Sequence, residues 1–150
     1  MSAIANIVAF DGAATPVSHT LIAESVGRDG KKMVATWAEA LTTLPKYAQI
    51  KASSSMVRLP SGVWQLAWQT EVPVMESISG QNASGYTAAP KVAYTDMLRT
   101  FCYFHERGSI AGRRLARQLH ANMLFGLLTT YTPTTVGPVP ELFDQLIAPT

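Results

Sequence analysis

From Gly62 to Val74 the chain alternates, with Trp64, Leu66, Trp68, Thr70 and Val72 at one parity and Gln65, Ala67, Gln69 and Glu71 at the other. Alternation this long marks a β-strand with one buried face and one wet face. Two tryptophans at alternate positions are a large apolar load for a single strand, so something broad must cover them. The wet face is built of amides and small residues instead of paired Lys and Glu, which suits a surface that meets something. What covers the first face sets the fold, and what touches the second sets the function.

The chain of 150 residues has the length of one domain and can bury a core of its own. It is 47% hydrophobic and only 15% charged, against about 25% charged in an ordinary soluble domain. So little charge implies surface buried against other chains, the plainer alternative being a sticky monomer. The net charge of +2 permits contact with nucleic acid without arguing for it, since the expected footprint is a basic patch. No apolar run approaches the ~18 residues of a membrane span, and no signal peptide or membrane partner is expected. The single cysteine, Cys102, excludes an intrachain disulfide and a multi-cysteine zinc site.

Turn signals divide the rest. Ala5 to Phe10 reads as a strand, Asp11-Gly12 as a turn, and Val17 to Glu24 as the returning arm of a hairpin. Gly27-Arg28-Asp29-Gly30 turns into a strand around Lys32 to Trp37. Residues 38 to 46 allow a helical turn that Pro45 stops. Tyr47 to Val57 alternates, with Ile50, Ala52 and Ser54 on one side and Gln49, Lys51, Ser53 and Ser55 on the other. Leu59-Pro60-Ser61-Gly62 joins it to the tryptophan-rich strand as a hairpin. Met75 to Pro90 is a loop of Ser, Gly, Asn, Gln and Ala, longer than the roughly 12–15 residues a compact domain usually tolerates without a function. Val92 to Phe104 is the last strand, with Tyr94, Leu98, Cys102 and Phe104 at one parity.

The period then changes. Ser109 can cap a helix in which Leu115, Leu119, Met123 and Leu127 recur every four residues, reaching about Leu128. A Thr/Pro-rich link, Thr129 to Pro138, leads to a short helix from Glu141 to Ile147 that starts at Pro140. Strands first and helices last predict a single α+β domain with an antiparallel sheet and helices on one face. Its parts are a hairpin over about 1–25, a sheet over 31–105 with the long loop 75–90, and helices over 109–147.

Little in this order suggests catalysis, and no cofactor is implied. Cys102 and His105 are three apart, which on a strand points them to opposite faces, so Cys102 reads as a buried inert thiol and not a nucleophile. His19, His105 and His120 lack metal-ligand spacing, and Asp11, Asp29, Asp96 and Asp144 form no carboxylate pair. Arg113, Arg114, Arg117 and His120 make a basic stripe on the first late helix. It is either a nucleic-acid contact or a solvated helix face whose cations suit the macrodipole, and the second is preferred. The polar sheet face, with Lys51, Ser53, Ser55, Gln65, Gln69 and Arg99, is either a binding surface or an ordinary wet face.

The order of parts resembles that of the coat proteins of single-stranded RNA bacteriophages, the leviviruses, over roughly residues 4 to 147. The resemblance rests on Phe10-Asp11-Gly12 in the hairpin, Trp37 closing the third strand, Tyr47 opening the next, and Glu71-Val72-Pro73 closing the tryptophan-rich strand. A long loop ending in Pro90, an aromatic Tyr94 soon after, and two late helices with a Pro-rich link complete it. It implies an N-terminal β-hairpin, a five-stranded antiparallel sheet and two C-terminal helices that interlock with a partner subunit in a homodimer. Two subunits would join edge to edge, the helices of each covering the apolar face of the other.

By the same resemblance the protein is a capsid subunit, assembled in the host bacterial cytoplasm into the icosahedral shell of a virion. Its partners would be itself and single-stranded genomic RNA, including a hairpin operator through which translation is repressed. The RNA face carried over by position comprises Val34, Gln49, Lys51, Ser53, Ser55, Gln65, Ala67, Gln69, Met97 and Arg99. Ala67 and Gln69 stand where well-studied relatives have a threonine and a lysine in the base pocket, and Met97 where they have a base-stacking tyrosine. The Arg-bearing helix would face outward, and Met75 to Pro90 would adjust between non-equivalent positions in the shell. The rivals are a dimeric RNA-binding regulator that forms no shell and a small α+β enzyme whose site is assembled in space.

Overall fold

The computed structural model describes residues 4–76, 85, 89, 91–126 and 134–150. Among the described residues, six strands run in sequence order through one antiparallel sheet: β1 (Ile7–Phe10), β2 (Ser18–Asp29), β3 (Lys32–Glu39), β4 (Lys51–Arg58), β5 (Val63–Met75) and β6 (Val92–His105). The helices follow, α1 (Ile110–Phe125) and α2 (Pro138–Pro140), the latter running straight into a π-helical turn, Glu141–Gln145.

The expected hairpin is thus continuous with the antiparallel sheet, the described strands forming one meander. β2 pairs with β1 from Ser18 to Leu21 and with β3 from Leu21 to Asp29, so the returning arm of the hairpin is itself a sheet strand. A bulge between Ala23 and Ser25 shifts the register midway, so Ala23 lies opposite Trp37 but Ser25 opposite Thr36. The first turn is organised by Asp11, whose carboxylate accepts from Val17 N–H at 2.8 Å. That hydrogen bond, foremost, holds its pKa below the ordinary value. His19 then links the hairpin to β3, its Nδ1 2.8 Å from the buried Glu39 Oε1. The β2–β3 turn is tight because Gly30 sits at φ +60°, where a Cβ would be strained. Between β4 and β5, Gly62 N–H donates to Leu59 C=O at 2.9 Å around Pro60.

β4 starts at Lys51 and not at Tyr47. Pro45 sets the extended start of a 3-10 turn over Lys46–Ala48, the helical turn following this proline instead of preceding it. α1 stops at Phe125, short of the expected end, because Gly126 turns left-handed (φ +61°) and its N–H caps the carbonyls of Asn122 and Met123. Ser109 Oγ caps the other end, accepting from Gly112 N–H at 3.0 Å. Leu127, the Thr/Pro-rich link up to Pro133 and most of the Met75–Pro90 loop lie outside the described residues.

Among the described residues, the apolar face of the sheet has two buried clusters. Leu21, Ala35, Trp37 and Ala52 form one, with Ile4 and Ile7 packed on it. Met56 and Leu66 form the other with Leu142 and Phe143, flanked by Trp64, Cys102 and Phe104. Trp68 touches both, and its ring centroid lies 5.3 Å from that of Trp37. Among the described residues, the final segment covers the tryptophans together with the N-terminal residues, where Ala5 C=O takes the Trp37 indole N–H at 2.9 Å. α1 packs chiefly on the π-helical turn. Its stripe stays open, with Leu115 at 59%, Leu119 at 51% and Met123 at 74% exposure.

Candidate nucleic-acid interface

Antiparallel register builds the opposite face in four rows. Ala38, Lys51, Glu71 and Met97 form the first, and Ser25, Thr36, Ser53, Gln69 and Arg99 the second. Gly27, Val34, Ser55, Ala67 and Phe101 form the third, and Val57, Gln65 and Tyr103 the fourth. Nine of the ten positions carried over by resemblance therefore share one face: Val34, Lys51, Ser53, Ser55, Gln65, Ala67, Gln69, Met97 and Arg99.

Gln49 is the exception. It is buried, and its amide donates to the carbonyls of Leu41 at 2.7 Å and Leu44 at 3.0 Å. β4 begins only at Lys51, so the alternation read from Tyr47 does not reach residue 49, and the Gln49 carried over by position instead pins the 41–48 loop away from the face.

Counting onward from Met97 and Arg99 by twos would have found Phe101 and Tyr103, which the sequence reading left out. Both rings are exposed, and both project with Arg99 because alternate residues of β6 share a face. Arg99 Cζ lies 4.5 Å from the centre of the Phe101 ring. Gln65 Nε2 donates to Tyr103 Oη at 3.3 Å. Thr36, Lys51, Ser53, Gln69 and Glu71 surround a shallow hollow of about 360 Å³. Gln69 donates to Glu71 Oε1, and Glu24 at its rim takes Lys46 at 3.2 Å. Charge on the face is mixed, so what it offers a ligand is placed cations, amides and rings and not a strongly basic field.

The helix arginines do something else. Arg117 grips the Asp144 carboxylate twice, Nε to Oδ1 and Nη2 to Oδ2, each at 2.8 Å. Arg114 Nε adds a contact to Oδ2 at 3.2 Å, and the buried Arg113 donates to the Asp144 backbone carbonyl at 2.8 Å and to Gly108 C=O. Asp144 has no side-chain surface in contact with solvent. The expected solvated stripe is thus corrected: three arginines clamp the final segment to α1. An acidic residue inside Leu142-Phe143-Asp144-Gln145-Leu146 was the available hint, but nothing local connects it to arginines some thirty positions earlier.

Cys102 faces the second core cluster, where burial pushes its thiol pKa up. His105 is at the opposite parity, and its Nδ1 accepts from Arg107 N–H at 3.1 Å. The two make no catalytic pair.

A family model described as levivirus coat protein matches residues 2–146. In structure the chain is similar to a virus-like particle of bacteriophage EMS014, at 30% identity and a TM-score of 0.72 over 99% of both chains. It is also similar to a virus-like particle of bacteriophage ESE058, at 22% identity and 0.68 over 96% of each. The protein capsid of bacteriophage GA matches at 14% identity and 0.58 over 95% of each. The latter two likenesses concern the fold alone. No curated protein matches the chain.

Proposed function

Because this chain belongs to the levivirus coat protein family, we propose that it builds its shell from symmetric dimers and packages single-stranded RNA against the open sheet face. As a coat protein it is a capsid component of the virion and not an enzyme. The observation that carries the dimer is the apolar surface the chain leaves bare. Leu115, Leu119 and Met123 of α1 are more than half exposed, as are Tyr94 and Leu98 on the tryptophan side of β6. β6 is also a sheet edge of 14 residues, a row of backbone donors and acceptors that invites a second strand. A second copy supplies both, pairing β6 to β6 and laying α1 across the partner's sheet. Obligate interfaces of this kind bury on the order of 2,000–5,000 Å².

The dimers would close into an icosahedral shell with the polar faces inward. Lys51 and Arg99 supply the phosphate contacts there, and the same face would receive a genomic hairpin for translational repression. Negative-stain microscopy of the purified chain should show uniform particles, and their absorbance ratio at 260 and 280 nm should report enclosed RNA. Lys51→Ala with Arg99→Ala should leave the particles intact with less RNA. For the isolated dimers, the slope of log affinity against log salt should flatten by about one unit per lost contact. Unchanged RNA content and slope would show that the face has been misassigned.

A further inference from the structure

β6 carries two exposed rings on the polar face of the sheet, at 101 and 103. Phe101 is 47% exposed and Tyr103 59%. Exposed rings on a polar face add nothing to the core of this chain. Nor does edge pairing of β6 require them, because that pairing uses backbone groups while these side chains project from the face.

Their surroundings are built for a flat ligand. Arg99 Cζ sits over the Phe101 ring, which places a cation against the aromatic face. Gln65 holds the Tyr103 hydroxyl. The row beside Phe101 is Ala67, Ser55 and Val34, side chains too short to obstruct a planar group resting on the phenyl ring. Among the described residues this row contains no carboxylate, and the carboxylate at the next level of the face, Asp29, is paired with Lys32 on β2 and β3, at the far side of the sheet from Tyr103. Two acidic residues of the face, Glu24 and Glu71, line the hollow around Lys51.

We infer that Phe101 and Tyr103 form a stacking platform for unpaired RNA bases, Arg99 supplying both an extended stack on Phe101 and a cation for the adjoining phosphate. The inference rests on the reading of this face as RNA-binding. It also makes the contact tolerant of sequence, since every base has a π-face, whereas a fitted base pocket would discriminate.

The test uses the full chain as RNA-free dimers and two fluorescent probes followed by anisotropy, short oligoadenylate and an abasic ribose-phosphate strand of equal length. Wild type should bind oligoadenylate at least about fivefold more tightly than the abasic strand. Phe101→Ala and Tyr103→Ala should each weaken oligoadenylate binding by about five- to a hundredfold and leave the abasic strand unaffected. Phe101→Trp should restore affinity, whereas Phe101→Leu, which keeps apolar bulk and with it the fold, should not. Equal affinity for the two probes, or Phe101→Leu binding like wild type, overturns the platform while leaving phosphate contact by Lys51 standing. Binding of neither probe overturns the platform and the RNA reading of the face together.

Discussion

Leu119→Asp is expected to leave neither soluble dimer nor shell. Within one chain Leu119 is half exposed, in line with Leu115 and Met123 on α1, so the aspartate meets no core of its own subunit. In the proposed dimer the same position is covered, and symmetry buries the charge twice. An uncompensated buried charge costs about 3–5 kcal/mol. Two of them weaken association by more than about ten-thousandfold. Equilibrium sedimentation should show the wild type without folded monomer at micromolar concentration and the variant without dimer. A variant that still forms dimers would remove the α1 stripe from the interface. Leu119→Met, which conserves volume, should assemble normally.

The second large effect belongs to Asp144. With Asp144→Asn the arginines lose their counter-charge while Arg113 stays buried, and the final segment loses its hold on α1. Breaking a buried ion pair typically costs about 3–5 kcal/mol. Arg114 and Arg117 reach solvent over part of their length, which screens the pair and favours the low end, about 3 kcal/mol. For a chain of this size that corresponds to a melting temperature lower by roughly 6–12 °C.

The pH dependence supplies a second check. Burial by itself would raise the Asp144 pKa, but hydrogen bonds from Arg117 and then Arg114 outweigh it and hold the value below 3.8. A folded pKa below the unfolded one stabilises the fold above pH about 4, and that contribution is lost as pH falls through the folded value. Thermal melts of wild type and Asp144→Asn should therefore differ most near pH 7 and converge on acidification below about pH 4. Equal melting temperatures at pH 7 would show that the clamp contributes nothing.

Local chemistry was legible wherever neighbours along the chain settle it. The alternation in β5 gave a strand with its faces correctly divided, because side-chain parity is a property of the extended backbone itself. Ser109 gave the start of α1 because a cap needs only its own hydroxyl and the amide three residues on. Parity misled where it was carried through a turn, as for Gln49 beyond Pro45. It fell short where counting stopped early, as for Phe101 and Tyr103.

Pairing across the chain was not legible. The sequence by itself determined the order of strands and helices, the polar face of β4 and β5, and an excess of apolar side chains over what one sheet can cover. Tertiary structure decided how those side chains are shared: Trp64 and Trp68 go to the final segment, while Leu115, Leu119 and Met123 remain bare. It also turned the arginines inward onto Asp144 and made β2 continuous from hairpin to sheet. The physical reason is one of range. Periodicity and capping depend on bonds a few residues apart, whereas the partner of a buried face or charge depends on where the folded backbone brings distant segments together.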